Sequence, residues 1–470
     1  MVMDYFFYLK SFINLHHDLF VFAAYFILIL FFMFLANSYV KNQKKFKFKR
    51  FRSVHKVAKK EEHGIIFGKV RRKLICSFEE EEGHVGVFSA SGTGKTSAVG
   101  IPTLRTWQGS SFIIDISGDI EKNCPNMSRK LVFAPDEKKS MNYNIFYSVD
   151  KLKSVEDKNE ALAQLALLLL PTPPNMNTNA KFFIENGQKI LTAGLICYYH
   201  QHLDFIECCK KIATQGYKGL FHDIDMSNNQ AAITYINCFE SMSEQNIGGC
   251  KQECDNALTL FVTNKHIIDS LKRGKKSIYP QLIDNYNIFI KISEDKLDLY
   301  AQLLNIITSQ LMAYISQRDV EKHKRPILLF LDEFTSLNLD SMLILHAIQR
   351  FRKRKCRIMI LTQNISDINI LYGKDIARSI LSNLKFKVLL GGLGDPESQQ
   401  YFADLIGKTD KNRYSYSESN NSNSSTKAIT RDLVFETAEL DRQGKDAAIL
   451  ICSDLADGYL KMKKNYYFKK

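Results

Sequence analysis

Apolar residues along this chain gather into short runs of strand length, bounded by Gly, Pro or charged residues, and these alternate with longer stretches whose apolar positions recur at helical spacing. That alternation predicts an α/β fold. Strand-like runs at 64–70, 74–78 and 85–88 lead up to Ser89, and another at 111–115 ends in Asp115. From 151 to 274 the strand-like runs thin out. Helical patterns take their place at 160–170, stopped by Pro171, Pro173 and Pro174, then at 181–200, at 227–242 with Ser227 or Asn228 as cap, and at 249–271. This block reads as an all-helical insertion. Strand patterns resume at 287–292, 327–331, 358–361, 384–390, 447–452 and 459–467, with helices expected at about 295–315 and 341–351. Residues 414–426 are rich in Ser and Asn and read as a flexible surface excursion. The expected organisation is one α/β domain, 61–150 with 275–470, interrupted by a helical domain at 151–274.

One run departs from both patterns. Residues 19–36 carry no charge and continue through Asn37 and Ser38 to Val40, which is long enough to cross a bilayer. Residues 1–40 are therefore expected to be a short tail and a single transmembrane helix. No basic segment precedes the run and no small-residue cleavage site follows it, which argues against a removable leader. Ten Lys and Arg residues and no acid occupy 41–60, whereas the other side of the run offers only Lys10 against Asp4 and Asp18. This asymmetry predicts a single-pass protein with its large C-terminal part in the cytoplasm. Phe46, Phe48 and Phe51 interleave with the bases, a composition suited to an anionic leaflet and, by charge alone, to nucleic acid. The segment supplies +10 of the formal net charge of +14, so the remainder of the 470 residues is only mildly basic. At 45% hydrophobic and 24% charged, the full chain has globular composition. Ten cysteines without a CxxC pair read as free thiols, and no His or Cys set completes a metal site around Cys250 and Cys254.

The chemistry gathers at two strand ends. Ser89-Ala90-Ser91-Gly92-Thr93-Gly94-Lys95-Thr96 follows the run at 85–88 and precedes a segment able to open a helix. A chain that curls so that successive N–H groups face an anion, with a lysine reaching the outer phosphates, is a phosphate-binding loop. Ser91, Gly92, Thr93, Gly94, Lys95 and Thr96 are the expected ATP-binding set, and Ser89 stands where the pattern has Gly. Far downstream, the apolar run at 327–331 delivers Asp332 and Glu333 where a parallel strand would present them beside the phosphates. Asp332, with Thr96, suits Mg²⁺, and Glu333 suits orienting the attacking water. Gln363, just past another strand-like run, is a candidate sensor of the γ-phosphate. Between them, Arg350 to Arg357 holds six bases in eight residues. A dipole-favoured helix end, a DNA-facing patch and an arginine finger reaching a neighbouring subunit all fit that run, and Arg352 is the finger candidate.

These blocks, together with Ile101-Pro102-Thr103-Leu104, Trp107, Gly109-Ser110, the carboxylate motif from Leu331 to Phe334, and Asp395-Pro396-Glu397 ahead of Leu405-Ile406-Gly407, resemble the TraG-like coupling proteins of type IV secretion. The resemblance runs from about residue 64 to the C-terminus. It implies a RecA-like P-loop NTPase domain with a helical insertion and a membrane anchor, hexameric when active. Such a protein would use ATP and Mg²⁺ to pass DNA with its relaxase, or protein substrates, to a type IV secretion channel. The chain departs from the family at Ser89, at Ile116-Ser117-Gly118-Asp119 where a Lys-Gly-Glu is usual, and in offering one apolar span where many members have two. Two other readings share parts of the pattern: a DNA-pumping ATPase of the FtsK or HerA kind, and a membrane receptor or scaffold for secretion substrates whose ATP site is degenerate.

Overall fold

The structure is a computed structural model in which residues 3, 6, 28, 30–33, 53–173, 176–274, 276–419 and 422–469 are described. Most of the expected transmembrane run and most of the basic segment after it lie outside the described residues. Among the described residues no helix is long and apolar enough to cross a membrane.

The body is built on one twelve-stranded sheet. Its centre is a parallel set in the order β12 (Leu384–Leu389), β4 (His84–Phe88), β11 (Cys356–Thr362), β10 (Ile327–Leu331), β5 (Ser110–Asp115), β9 (Asn287–Lys291) and β6 (Lys130–Phe133). Beyond β12 the sheet continues antiparallel through β15 (Ala447–Ile451), β16 (Tyr459–Lys463), β2 (Ile65–Val70), β3 (Lys73–Ser77) and β1 (His55–Val57). Central strands such as β10 and β11 are buried at every position, as parallel strands covered on both faces must be. Their side chains alternate between two cores. Leu329, Leu331, Ile358 and Ile360 join the larger core, which also takes in the helices, while Leu328, Phe330, Met359 and Leu361 join a second core on the opposite face. β1 lies within the stretch read as a basic linker, pairing with β3 through His55 and Val57.

Between the short parallel pair β7 (Asn142–Tyr143) and β8 (Ser277–Ile278), eight α-helices run among the described residues, from Tyr147–Asp150 to Lys265–Leu271. Their boundaries follow capping residues more than apolar spacing. The expected helix at 227–242 is instead Gln230–Ile236, capped by Asn229, whose side chain accepts from the N–H groups of Ala231 and Ala232, while Asn228 adopts a positive φ of 53°. The expected helix at 249–271 is two, Glu244–Thr263 and Lys265–Leu271, because the Asn264 side chain accepts from Ile267 N–H and starts a new helix. Of residues 414–426, expected as an excursion, 414–419 and 422–426 lie in a long antiparallel hairpin of β13 (Lys408–Ser419) with β14 (Ser422–Leu433).

Candidate functional site

Parallel register brings the carboxyl ends of β4, β11, β10 and β5 to one edge of the sheet. Thr362 pairs with Phe88, Leu331 with Ile360, and Leu331 with Ile114, so Ser89, Gln363, Asp332 and Asp115 follow at neighbouring strand ends. These strand ends lead to a cleft of about 470 Å³ lined by Ser91, Gly92, Thr96, Asp332, Glu333 and Gln363 among others. The sequence-derived residues meet here, with the exception of Arg352.

The loop after β4 owes its shape to Gly92 (φ 73°) and Gly94 (φ 106°), both in the left-handed region. Ser89 is not among the positive-φ residues, so no glycine is required there. Its hydroxyl instead bonds to Thr93 Oγ1, whose own proton reaches the Ala90 carbonyl at 2.7 Å, and this stitches the loop from within. A second glycine turn supports it from outside: Ala90 N–H donates to Gly392 O at 2.8 Å, and Gly391, Gly392 and Gly394 all have positive φ. Sequence reasoning passed over that turn, although Gly391-Gly392-Leu393-Gly394 after a core strand was its visible signal.

Lys95 is buried at the head of the helical segment that continues as Ile101–Thr106. Its Nζ donates to Ser89 O at 3.0 Å and Ala90 O at 3.4 Å, and stands 3.6 Å from Glu333 Oε1. Thr96 Oγ1 lies 3.1 Å from Asp332 Oδ1. Burial, then the neighbouring Glu333 and Asp115 carboxylates, push Asp332 up to about 7, against the lowering effect of Thr96 and Lys95. Asp115 is raised as well, chiefly by burial, while its oxygen accepts the Glu121 N–H at 2.9 Å. Glu333 holds a left-handed backbone (φ 43°, ψ 54°), an uncommon conformation for a non-glycine residue and one that clusters at functional sites. An oxygen-rich, anion-crowded pair such as Thr96 and Asp332 fits a hard divalent cation that takes its remaining ligands from phosphate and water.

Arg352 sits elsewhere. It occupies the turn Phe351–Arg354 before β11, at the opposite end of that strand from Gln363, where its Nε meets Glu82 Oε2 at 3.0 Å in an exposed pair. The basic run has divided duties. Arg357 is buried, donating to Gly83 O and Phe78 O at 2.9 Å each, and Arg354 donates to Arg318 O at 3.1 Å, while Arg350, Arg352, Lys353 and Lys355 are exposed.

A family model described as type IV secretory system conjugative DNA transfer matches residues 35–470. The chain belongs to this family. Among curated proteins it is similar to Protein VirD4 of Agrobacterium fabrum, at 23% identity over 341 residues covering 70% of this chain and 50% of that protein. It is also similar to the type IV secretion system-coupling protein VirD4 of Bartonella quintana, at 20% identity covering 69% and 53%. The chain thus spans about half the length of the curated relatives it matches. Among solved structures it shares its mixed α/β fold with the bacterial conjugative coupling protein TrwB lacking its N-terminal segment, with a TM-score of 0.66 at 18% identity over 90% of this chain and 94% of that one. TrwB solved in complex with ADP and Mg²⁺ matches with a TM-score of 0.60 at 17% identity, over 82% of this chain and 86% of that one.

Proposed function

We propose that this chain is a membrane-anchored coupling ATPase of a type IV secretion or conjugation system, RecA-like in its motor domain and hexameric when active. One observation carries the reading: the phosphate loop, the Thr96–Asp332 pair and Glu333 converge on one cleft although more than 230 positions separate Thr96 from Asp332. Family membership and the names of the VirD4 and TrwB relatives support the cargo side, DNA with its relaxase or protein substrates handed to channel components. The apolar run at 19–36 and the basic run behind it support an anchor in the inner membrane. The α/β residues 61–150 and 275–470 form the motor, and 151–274 the inserted helical domain.

Within the cleft each side chain has a task. Backbone N–H groups from Ser91 to Thr96 face the phosphates of ATP, and Lys95 exchanges its carbonyl partners for the outer phosphate oxygens. Bound between Thr96, Asp332 and the phosphates, Mg²⁺ would supply charge neutralisation. Glu333, within reach of Lys95, accepts a proton from the attacking water and aligns it. Gln363, at the β11 end, senses whether the γ-phosphate is present. Arg352 serves the neighbouring subunit's site.

The test separates binding from turnover. Lys95→Ala should remove nucleotide binding and hydrolysis, and Glu333→Gln should keep binding while lowering turnover by a hundredfold or more, on the order expected for a lost general base. Neither change should alter membrane location or cargo docking. Wild-type cargo transfer by the Lys95→Ala strain would refute the proposed motor.

A further inference from the structure

β16 ends at Lys463, and the residues after it run onto the phosphate loop. Lys464, 5% exposed, donates from Nζ to the Thr93 carbonyl at 2.8 Å. The Tyr466 ring rests against Gly94, so closely that a Cβ built on that glycine would stand 2.9 Å from Tyr466 Cε1. Tyr467 donates its backbone N–H to the Ser97 carbonyl at 3.0 Å. Its half-buried ring lines the cleft together with Ser97, Ile101 and Asn123, and the Arg105 guanidinium lies over it, 4.7 Å from the ring centroid. Arg105 is itself fixed, its Nε donating to Asn123 O at 2.8 Å.

Resting on the reading of this cleft as an ATP site, we propose that Tyr467 is the platform on which the nucleobase stacks, with Arg105 bracing the ring from its other face. Phosphates held by Ser91 to Thr96 leave the nucleoside to extend along the cleft past Ser97. The wall on that side is Ile101 and Tyr467, an apolar and aromatic surface in a cleft whose remaining lining, Ile116 and Leu297 apart, is mostly hydroxyls, carboxylates and amides. A cation over one face of the ring polarises and immobilises it. Stacking is tolerant of base identity because every base offers a π-face. The platform therefore predicts tight binding with little discrimination between adenine and guanine. The C-terminal segment thereby completes the site.

The alternative role for these residues is a strut that holds the phosphate loop in shape, and a ligand without a base tells the two apart. Binding of Mg²⁺–ATP and of Mg²⁺–tripolyphosphate to the full chain in detergent is measured by calorimetry. Tyr467→Leu should weaken ATP by about tenfold to a hundredfold, the range seen when a stacking aromatic is removed, and leave tripolyphosphate within about twofold. Tyr467→Phe should bind ATP as wild type does. Arg105→Gln, which keeps the ring, should weaken ATP alone and by a smaller factor, and it covers the case in which Tyr467→Leu does not fold. Equal losses for ATP and tripolyphosphate, or unchanged ATP affinity in Tyr467→Leu, would overturn the platform. Wild-type protein that binds neither ligand would overturn the ATP-site reading and the platform with it.

Discussion

His84 opens the phosphate-loop strand with its ring held between two backbone groups. Nδ1 accepts the Ile358 N–H at 2.9 Å, which leaves Nε2 as the protonated nitrogen, donating to Ile348 O at 2.8 Å. The ring thus ties β4 to β11 and to the helix Ser341–Arg350 ahead of the basic turn. A second proton would set two donors, Nδ1–H and Ile358 N–H, against each other inside the core. Burial first, and then the Arg357 and Arg352 charges, hold His84 down at about 4, despite the opposing bond to Ile348. The sign follows: a histidine whose folded pKa lies below its unfolded value of 6.5 contributes stability in full above pH 6.5, and that stability is lost as pH falls through 4. At 2% exposure the full effect applies, about 3 kcal/mol across that window. Urea unfolding at several pH values should show this loss, and His84→Gln should flatten it, at the cost of a lower stability at pH 8. A wild-type curve level between pH 7 and 4.5 would refute the assignment. His84 was invisible as a candidate in the sequence because only the fold brings Ile348 and Ile358 to its ring. Lys95, Thr96 and Asp332 could be named as candidates because a phosphate-loop pattern and a strand ending in a carboxylate are local features of the chain, whereas the 3.1 Å approach of Thr96 to Asp332 comes from the fold.

At the scale of elements, apolar runs announced the buried parallel strands, and polar composition concealed the hairpin. Residues 414–426 lack an apolar stripe, and composition alone reads such a segment as a loop. Strand pairing needs only backbone partners, and β13 and β14 supply them to each other in an unbroken register from Lys408↔Leu433 to Ser419↔Ser422. Helix boundaries in the inserted block were misplaced for a related reason. Caps such as Asn229 and Asn264, and the box in which Asp204 accepts from Glu207 N–H while Glu207 accepts from Asp204 N–H, set them locally where apolar spacing runs on. The hairpin also leaves the body at a closed neck, for Val434 N–H donates to Gly407 O at 3.0 Å. Replacing 408–433 with a short Gly-Ser link should therefore close a small loop and leave the melting temperature within about 2 °C, since loop closure costs little when the ends already meet. Calorimetric melting and ATP binding check this. A drop of 10 °C or loss of nucleotide affinity would show that the hairpin supports the core.

For the whole molecule, the order of the sheet decides what one chain can do alone. Sequence patterns supplied the strands without their neighbours, and so left open that β11 lies between the phosphate-loop strand and the Asp332 strand. That placement fixes the direction of Arg352. β11 spans seven residues from Cys356 to Thr362, so its ends stand about 20 Å apart, with Gln363 at the cleft and Arg352 beyond the far end. No side-chain motion carries Arg352 into the cleft of its own chain. Its pairing with Glu82 joins two exposed side chains and is worth no more than about 1 kcal/mol, so it leaves the guanidinium available. In the proposed ring, a subunit arrangement that sets one far edge against the next cleft would let Arg352 face the charge developing on the transferred phosphoryl group. Arg352→Ala should lower turnover on the order of 10³-fold with nucleotide affinity nearly unchanged, and Glu82→Gln should leave turnover within about twofold. Mixing decides between a finger and a cargo contact. Arg352→Ala subunits combined with Glu333→Gln subunits, each inactive alone, should regain hydrolysis wherever an intact Arg352 meets an intact Glu333 across a boundary. Co-assembly without any recovery would move Arg352 to the surface that contacts cargo, and the finger would have to be sought among Arg350, Lys353 and Lys355 of the same exposed turn.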